Sequence, residues 1–152
     1  MMLLSRVRGL PALTDEGARR LGTVRALTVD AGTGTVTHVR IRRGLLRGET
    51  AAPWRDVAAV TEDRVVIRAG TGEAARTGEP EQQQEAPHRE LLGCRVLTET
   101  GEERGTVLDA AFDPVTGRIE TIRTSRTELR ADRMLGLGDY ALVVRATRAD
   151  RI

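Results

Sequence analysis

Lysine is absent: all 24 basic side chains of this 152-residue chain are arginine. A P-loop needs its lysine for the terminal phosphates, and Schiff-base chemistry needs a lysine amine, so both are excluded. The all-arginine bias fits either bidentate recognition of phosphate or carboxylate or the codon usage of a GC-rich genome. Aromatics are nearly absent too, with Trp54, Phe112 and Tyr140 the whole set. A core must then be built from Val, Leu, Ile and Ala. Cys94 is the single cysteine, which rules out an internal disulfide and fits a reducing compartment. No apolar run approaches the ~18 residues of a membrane span. Met1-Met2-Leu3-Leu4 meets Arg6 and Arg8 at once, without the apolar stretch of a secretory signal. A soluble, cytoplasmic protein is expected.

What the chain does contain, it contains twice. Gly22-Thr23-Val24 recurs as Gly105-Thr106-Val107, and Asp30-Ala31-Gly32-Thr33-Gly34 as Asp113-Pro114-Val115-Thr116-Gly117. Val36, Val39 and Arg40 recur as Ile119, Ile122 and Arg123, all at one offset of 83 residues. Gly9, Leu13 and Gly17 align with Gly93, Leu97 and Gly101, after one residue more in the first copy near Arg20. Val65 to Arg68 aligns with Leu142 to Arg145, after six more residues in the first copy's middle loop, around Gly44 to Thr50. An internal repeat decides the architecture. Two units are expected, residues 1–69 and 90–146, joined by a flexible linker at 70–89 and followed by a polar tail at 147–152. The linker holds Gly70, Gly72, Gly78, Pro80, Gln82-Gln83-Gln84 and Pro87, too little apolar surface to offset its ordering entropy. Units of this size bury only about 60% of their unfolded surface and are marginal alone, so the copies should pack on each other or on a second chain.

Each unit reads as short strands bounded by turns. In the first copy these lie near Leu10–Leu13, Gly22–Val29, Val36–Arg42 and Arg64–Arg68. Asp15-Glu16-Gly17 and the Asp30–Gly34 segment are turn chemistry. Val36 and Val39 break strict alternation, as do Ile119 and Ile122, and the recurrence predicts a bulge in each copy. Pro53-Trp54-Arg55-Asp56-Val57 predicts a brief helical turn opened by proline. Short strands with regular turn signals favour a small barrel or sandwich.

The order of these motifs resembles the PRC-barrel family. The carrying residues are Gly9, Asp15-Glu16-Gly17, Gly22-Thr23-Val24, the Asp30–Gly34 turn, Val36 to Ile41, Pro53-Trp54-Arg55-Asp56-Val57 and Val65 to Ile67. The second copy keeps most of them but has Arg130-Ala131-Asp132-Arg133-Met134 where Pro-Trp would stand. The resemblance implies an all-β protein of two small, strongly bent barrels of about six strands each. It implies docking of protein or assembly partners and no activity. Related domains occur in the H subunit of photosynthetic reaction centres and in a ribosome-maturation factor. This chain shows neither the membrane helix of the first nor the extra amino-terminal domain of the second.

No catalytic or metal set emerges. Cys94 aligns with Leu10, so a small core hydrophobe is its plainer reading. His88 falls in the linker and His38 aligns with Thr121, with no ligand spacing around either. The acidic pairs Asp15-Glu16, Glu62-Asp63 and Glu102-Glu103 sit in turns, too hydrated for a raised pKa. No enzyme, cofactor or metal is expected. Trp54 is either a buried packing residue or an interface anchor. Residues 1–69 hold 12 Arg against 7 acidic residues, and Arg40, Arg42, Arg43 and Arg47 cluster on one strand and its loop. They form either a solvated face or an anion-facing patch. The expected function is a non-catalytic protein-docking module, with a homodimer conceivable. The alternative is an RNA- or ribosome-associated assembly factor using that Arg cluster, although scarce aromatics argue against single-stranded RNA. A weaker reading is a peripheral subunit of a membrane electron-transfer complex.

Overall fold

A computed structural model of the chain describes residues 1–16, 19–43, 48–68 and 89–146. Arg47, most of the predicted linker and the predicted tail lie outside them.

The protein is two seven-stranded sheets of identical plan. The first runs β5 (Glu49–Pro53), β4 (Thr35–Arg42), β3 (Arg20–Asp30), β2 (Pro11–Thr14), β7 (Val65–Ile67), β6 (Val57–Val60), with β8 (Arg89–Glu90) added to β3. The second runs β12 (Glu128–Arg130), β11 (Ile119–Thr124), β10 (Glu103–Phe112), β9 (Arg95–Thr98), β14 (Ala141–Val144), β13 (Met134–Leu137), with β1 (Met2–Leu3) added to β10. Pairing is antiparallel except β2 with β7 and β9 with β14. The outer strands of each sheet join through a 3-10 turn, Trp54–Asp56 in one copy and Ala131–Arg133 in the other. The first is the helical turn that Pro53 predicts. Among the described residues, hydrogen bonding closes neither sheet. The barrels are strongly bent sheets whose ends meet through the chain.

Sequence reasoning places β2, β3, β4 and β7 to within about two residues. It misses β5 and β6, because Glu-Thr-Ala-Ala-Pro and Val-Ala-Ala-Val carry too little large apolar patterning to stand out. The expected bulge is present in both copies. Thr37 is the extra residue between the Thr28–His38 and Val29–Val36 pairs, and Glu120 occupies the same place in the second copy. A second matched pair of bulges falls at Arg25 and Leu108. Bulges bend and twist a strand, and here they curl a short sheet over its own core.

The hairpin turns are alike in detail. Asp30 Oδ1 accepts the Gly32 N–H at 2.9 Å, and Gly34, at φ +70°, donates to the Asp30 carbonyl at 2.8 Å. Asp113 and Gly117 repeat this, with φ +81° at Gly117. Glycine fits because other L-residues enter the left-handed region at a cost.

The copies are not separate bodies. β1, at the head of the first copy, pairs with β10 (Met2–Phe112, Leu3–Ala111). β8, at the head of the second, pairs with β3 (Arg89–Val29, Glu90–Thr28). The receiving positions are themselves equivalent, so the exchange is reciprocal. Between the two hairpins, Val36 donates to the Gly117 carbonyl and Ile119 to the Gly34 carbonyl, each at 2.8 Å. This is a pseudo-two-fold contact. The buried hydrophobics of both sheets, from Leu4 and Val7 through Leu91 to Val144, form one continuous cluster. Small units with too little apolar surface thus share a core.

Candidate interaction site

Of the predicted docking residues, Trp54 turns inward. It is half-buried, packed on the shared core, and meets the Phe112 ring edge-on at 5.8 Å between centroids. A Cβ added to Gly117 would lie 2.8 Å from Trp54 Nε1. Trp54 is therefore the wedge of the first barrel against the hairpin of the second. The aligned position, Ala131, is small, and Met134 Cε instead approaches Gly34.

Arg40 is occupied as well. Its Nε and Nη2 donate to Glu49 Oε1 at 3.1 and 2.8 Å. Arg25 Nε lies 2.8 Å from Glu49 Oε2. Glu90 Oε2 stands 3.9 Å from Arg25 and 3.8 Å from Arg40. Two arginines and two glutamates thus alternate in a closed ring on the outer face of the first sheet. Beneath it, Ala26 and Thr28 are buried although they point outward. The ring was not legible in the sequence, since Glu49 is separated from Arg40 by a loop and Glu90 arrives from beyond the linker. Arg42 is exposed at the end of β4. Arg43 donates its backbone N–H to Gly48 at 2.8 Å. Of the predicted Arg cluster, Arg40 is thus tied into the ring while Arg42 stays exposed, and Arg47 lies outside the described residues.

Cys94 is half-buried against the core, as its alignment with Leu10 suggested, and its Sγ donates to the Glu90 carbonyl at 3.3 Å. Burial first, then the Glu90 charge, pushes the thiol up. His38 lies on the outer row beside Thr28 and Pro53. No three His, Cys, Asp or Glu among the described residues are grouped to hold a metal ion.

The exposed apolar side chains were missed. Among the described residues the large ones are Met1, Leu3, Leu108, Val115, Leu135 and Tyr140. Every one belongs to the second sheet, to its turns or to the residue before β1. At the ring positions of the first barrel the second has Leu108 for Arg25, Arg123 for Arg40 and Leu3 for Glu90. Without a lid, Asp109 and Ala111 are half-buried where Ala26 and Thr28 are buried.

A family model described as the PRC-barrel domain matches twice, over residues 1–74 and 84–138. The chain belongs to the PRC-barrel family. It carries two tandem PRC-barrel domains, and its all-β architecture agrees. The family is a non-catalytic one. No curated protein matches the chain. Among the described residues no helix is long and apolar enough to cross a membrane.

Proposed function

We propose that this PRC-barrel protein is a non-catalytic docking module that engages a protein partner through its second barrel. One observation carries the reading: among the described residues, every large exposed hydrophobic lies in the second sheet, in its turns or just before β1. Of these, Leu3 and Leu108 stand together on the paired strands β1 and β10, and adjoining exposed apolar side chains mark interaction sites. Meanwhile the first barrel covers its outer face with its own charges. The first barrel and the reciprocal strand exchange act as the frame, and the second barrel presents the contact. The site proposed is cytoplasmic.

Affinity capture of the tagged full-length protein from its own cells tests this, with and without nuclease and at two salt concentrations. A protein partner retained through nuclease and salt, and lost when Leu108 and Leu135 are both changed to Glu, is expected. Recovery of only nucleic-acid-borne material, lost steeply with salt as counterion release requires, would refute it. So would turnover of a substrate that depends on Cys94 or His38.

A further inference from the structure

The outer face of the second barrel is built from rows fixed by strand register. Leu3, Ala111, Thr121 and Arg130 form one row; Asp109, Arg123 and Glu128 form the next. Leu108, on its bulge, is 53% exposed and Leu3 is 38% exposed. Asp109 is already engaged: the Ser5 N–H donates to Oδ1 at 3.1 Å, the Ser5 hydroxyl to Oδ2, and the Ala110 N–H to Oδ1 at 2.9 Å. Arg130 stands 3.6 Å from Asp132. Arg123 and Glu128 face each other across the β11–β12 pair, yet among the described residues neither makes an ion pair. The face therefore carries Arg123 and Glu128, adjacent but unjoined, beside two exposed leucines. At the corresponding place the first barrel joins Arg25 and Arg40 to Glu49 and Glu90.

We propose that this face is a two-fold contact with a second copy of the chain, in which Arg123 of each copy meets Glu128 of the other beside apposed Leu3 and Leu108. The balance of charge points to this occupant. A polyanion or anionic lipid surface would pair with Arg123 but be repelled by Glu128. An isologous contact is self-complementary, and it turns an adjacent, unjoined Arg and Glu into two symmetry-related ion pairs. The leucines supply the apolar centre that such pairs need, since exposed ion pairs alone contribute little. Val115 and Tyr140 are more exposed but stand singly in turns, where a lone apolar side chain calls for no partner. The proposal rests on the docking reading of the second barrel and adds the identity of one partner.

Sedimentation equilibrium of the full chain, from micromolar to submillimolar concentration, is the test. A monomer–dimer equilibrium is expected. Arg123→Glu and Glu128→Arg should each raise the dissociation constant about tenfold, because both symmetry-related contacts become repulsive. The double variant R123E/E128R should return to within about threefold of the parent, the signature of a direct pair. Leu108→Glu should abolish the dimer and Val115→Glu leave it intact. All these positions are exposed, so folding is not at stake. A monomer at every concentration, a dimer indifferent to the single charge changes, or a double variant no better than the singles would each overturn the proposal. A monomer that still captures a different protein through Leu108 would refute the dimer while leaving the docking reading standing.

Discussion

Gly117→Ala probes the seam between the barrels directly. The substitution acts twice. It puts a Cβ into the left-handed region at φ +81°, which costs about 1–2 kcal/mol. It also places that Cβ 2.8 and 2.9 Å from Trp54 Nε1 and Cδ1. The indole is held by Phe112 and the shared core, so overpacking there should add about 1–3 kcal/mol. The pseudo-symmetric control is Gly34→Ala. Its φ is +70°, but the nearest atom, Met134 Cε, is 3.9 Å away. It therefore carries the backbone cost alone. In urea denaturation G117A should lose about 1–3 kcal/mol more than G34A, and in a thermal scan each kcal/mol should lower Tm by about 2–4 °C. Trp54 is the sole tryptophan, so its emission reports the seam. The transition it reports should coincide with that seen by far-UV circular dichroism, because each sheet contains a strand from the other copy. In a Trp54→Ala background the extra penalty at Gly117 should vanish, a coupling of about 1–3 kcal/mol. Equal losses for G117A and G34A, or additivity in the double variant, would refute the seating of Trp54 across the seam.

Glu49→Gln removes the bridge between Arg25 and Arg40 and should cost about 0.5–1 kcal/mol, given the partial exposure of the ring; the loss should shrink in high salt, whereas Glu128→Gln should cost nothing in the monomer. Burial and Glu90 raise the Cys94 thiol, so the folded chain holds that proton more tightly than the unfolded one. The resulting stability is whole below the unfolded thiol's value of about 8.5 and is lost as pH rises through the folded value. Chemical denaturation across alkaline pH should show this fall, and Cys94→Val should flatten that component.

Much of this protein is legible in the sequence because its determinants are local. Turn chemistry at Asp30–Gly34 and Asp113–Gly117 needs only a short side chain that caps its own backbone and a glycine that tolerates positive φ. The bulges at Thr37 and Glu120 follow from the spacing of β-branched residues within a strand, and the repeat assigns both barrels from one pattern. The core role of Cys94 follows from its alignment with Leu10. What tertiary structure decided is what depends on residues far apart in the chain. Whether Arg40 is free or paired depends on Glu49 across a loop and Glu90 beyond the linker. Whether Trp54 faces a partner or its own chain depends on a glycine 63 positions later. Met2–Leu3 and Arg89–Glu90 carry no strand signal, because two residues have no periodicity; they become strands only where the other barrel offers an unpaired edge. The sequence by itself determined two copies of a bent sheet. Only the folded chain decided that the copies exchange strands, that the first covers its outer face with a ring of charge, and that the second leaves the same face open.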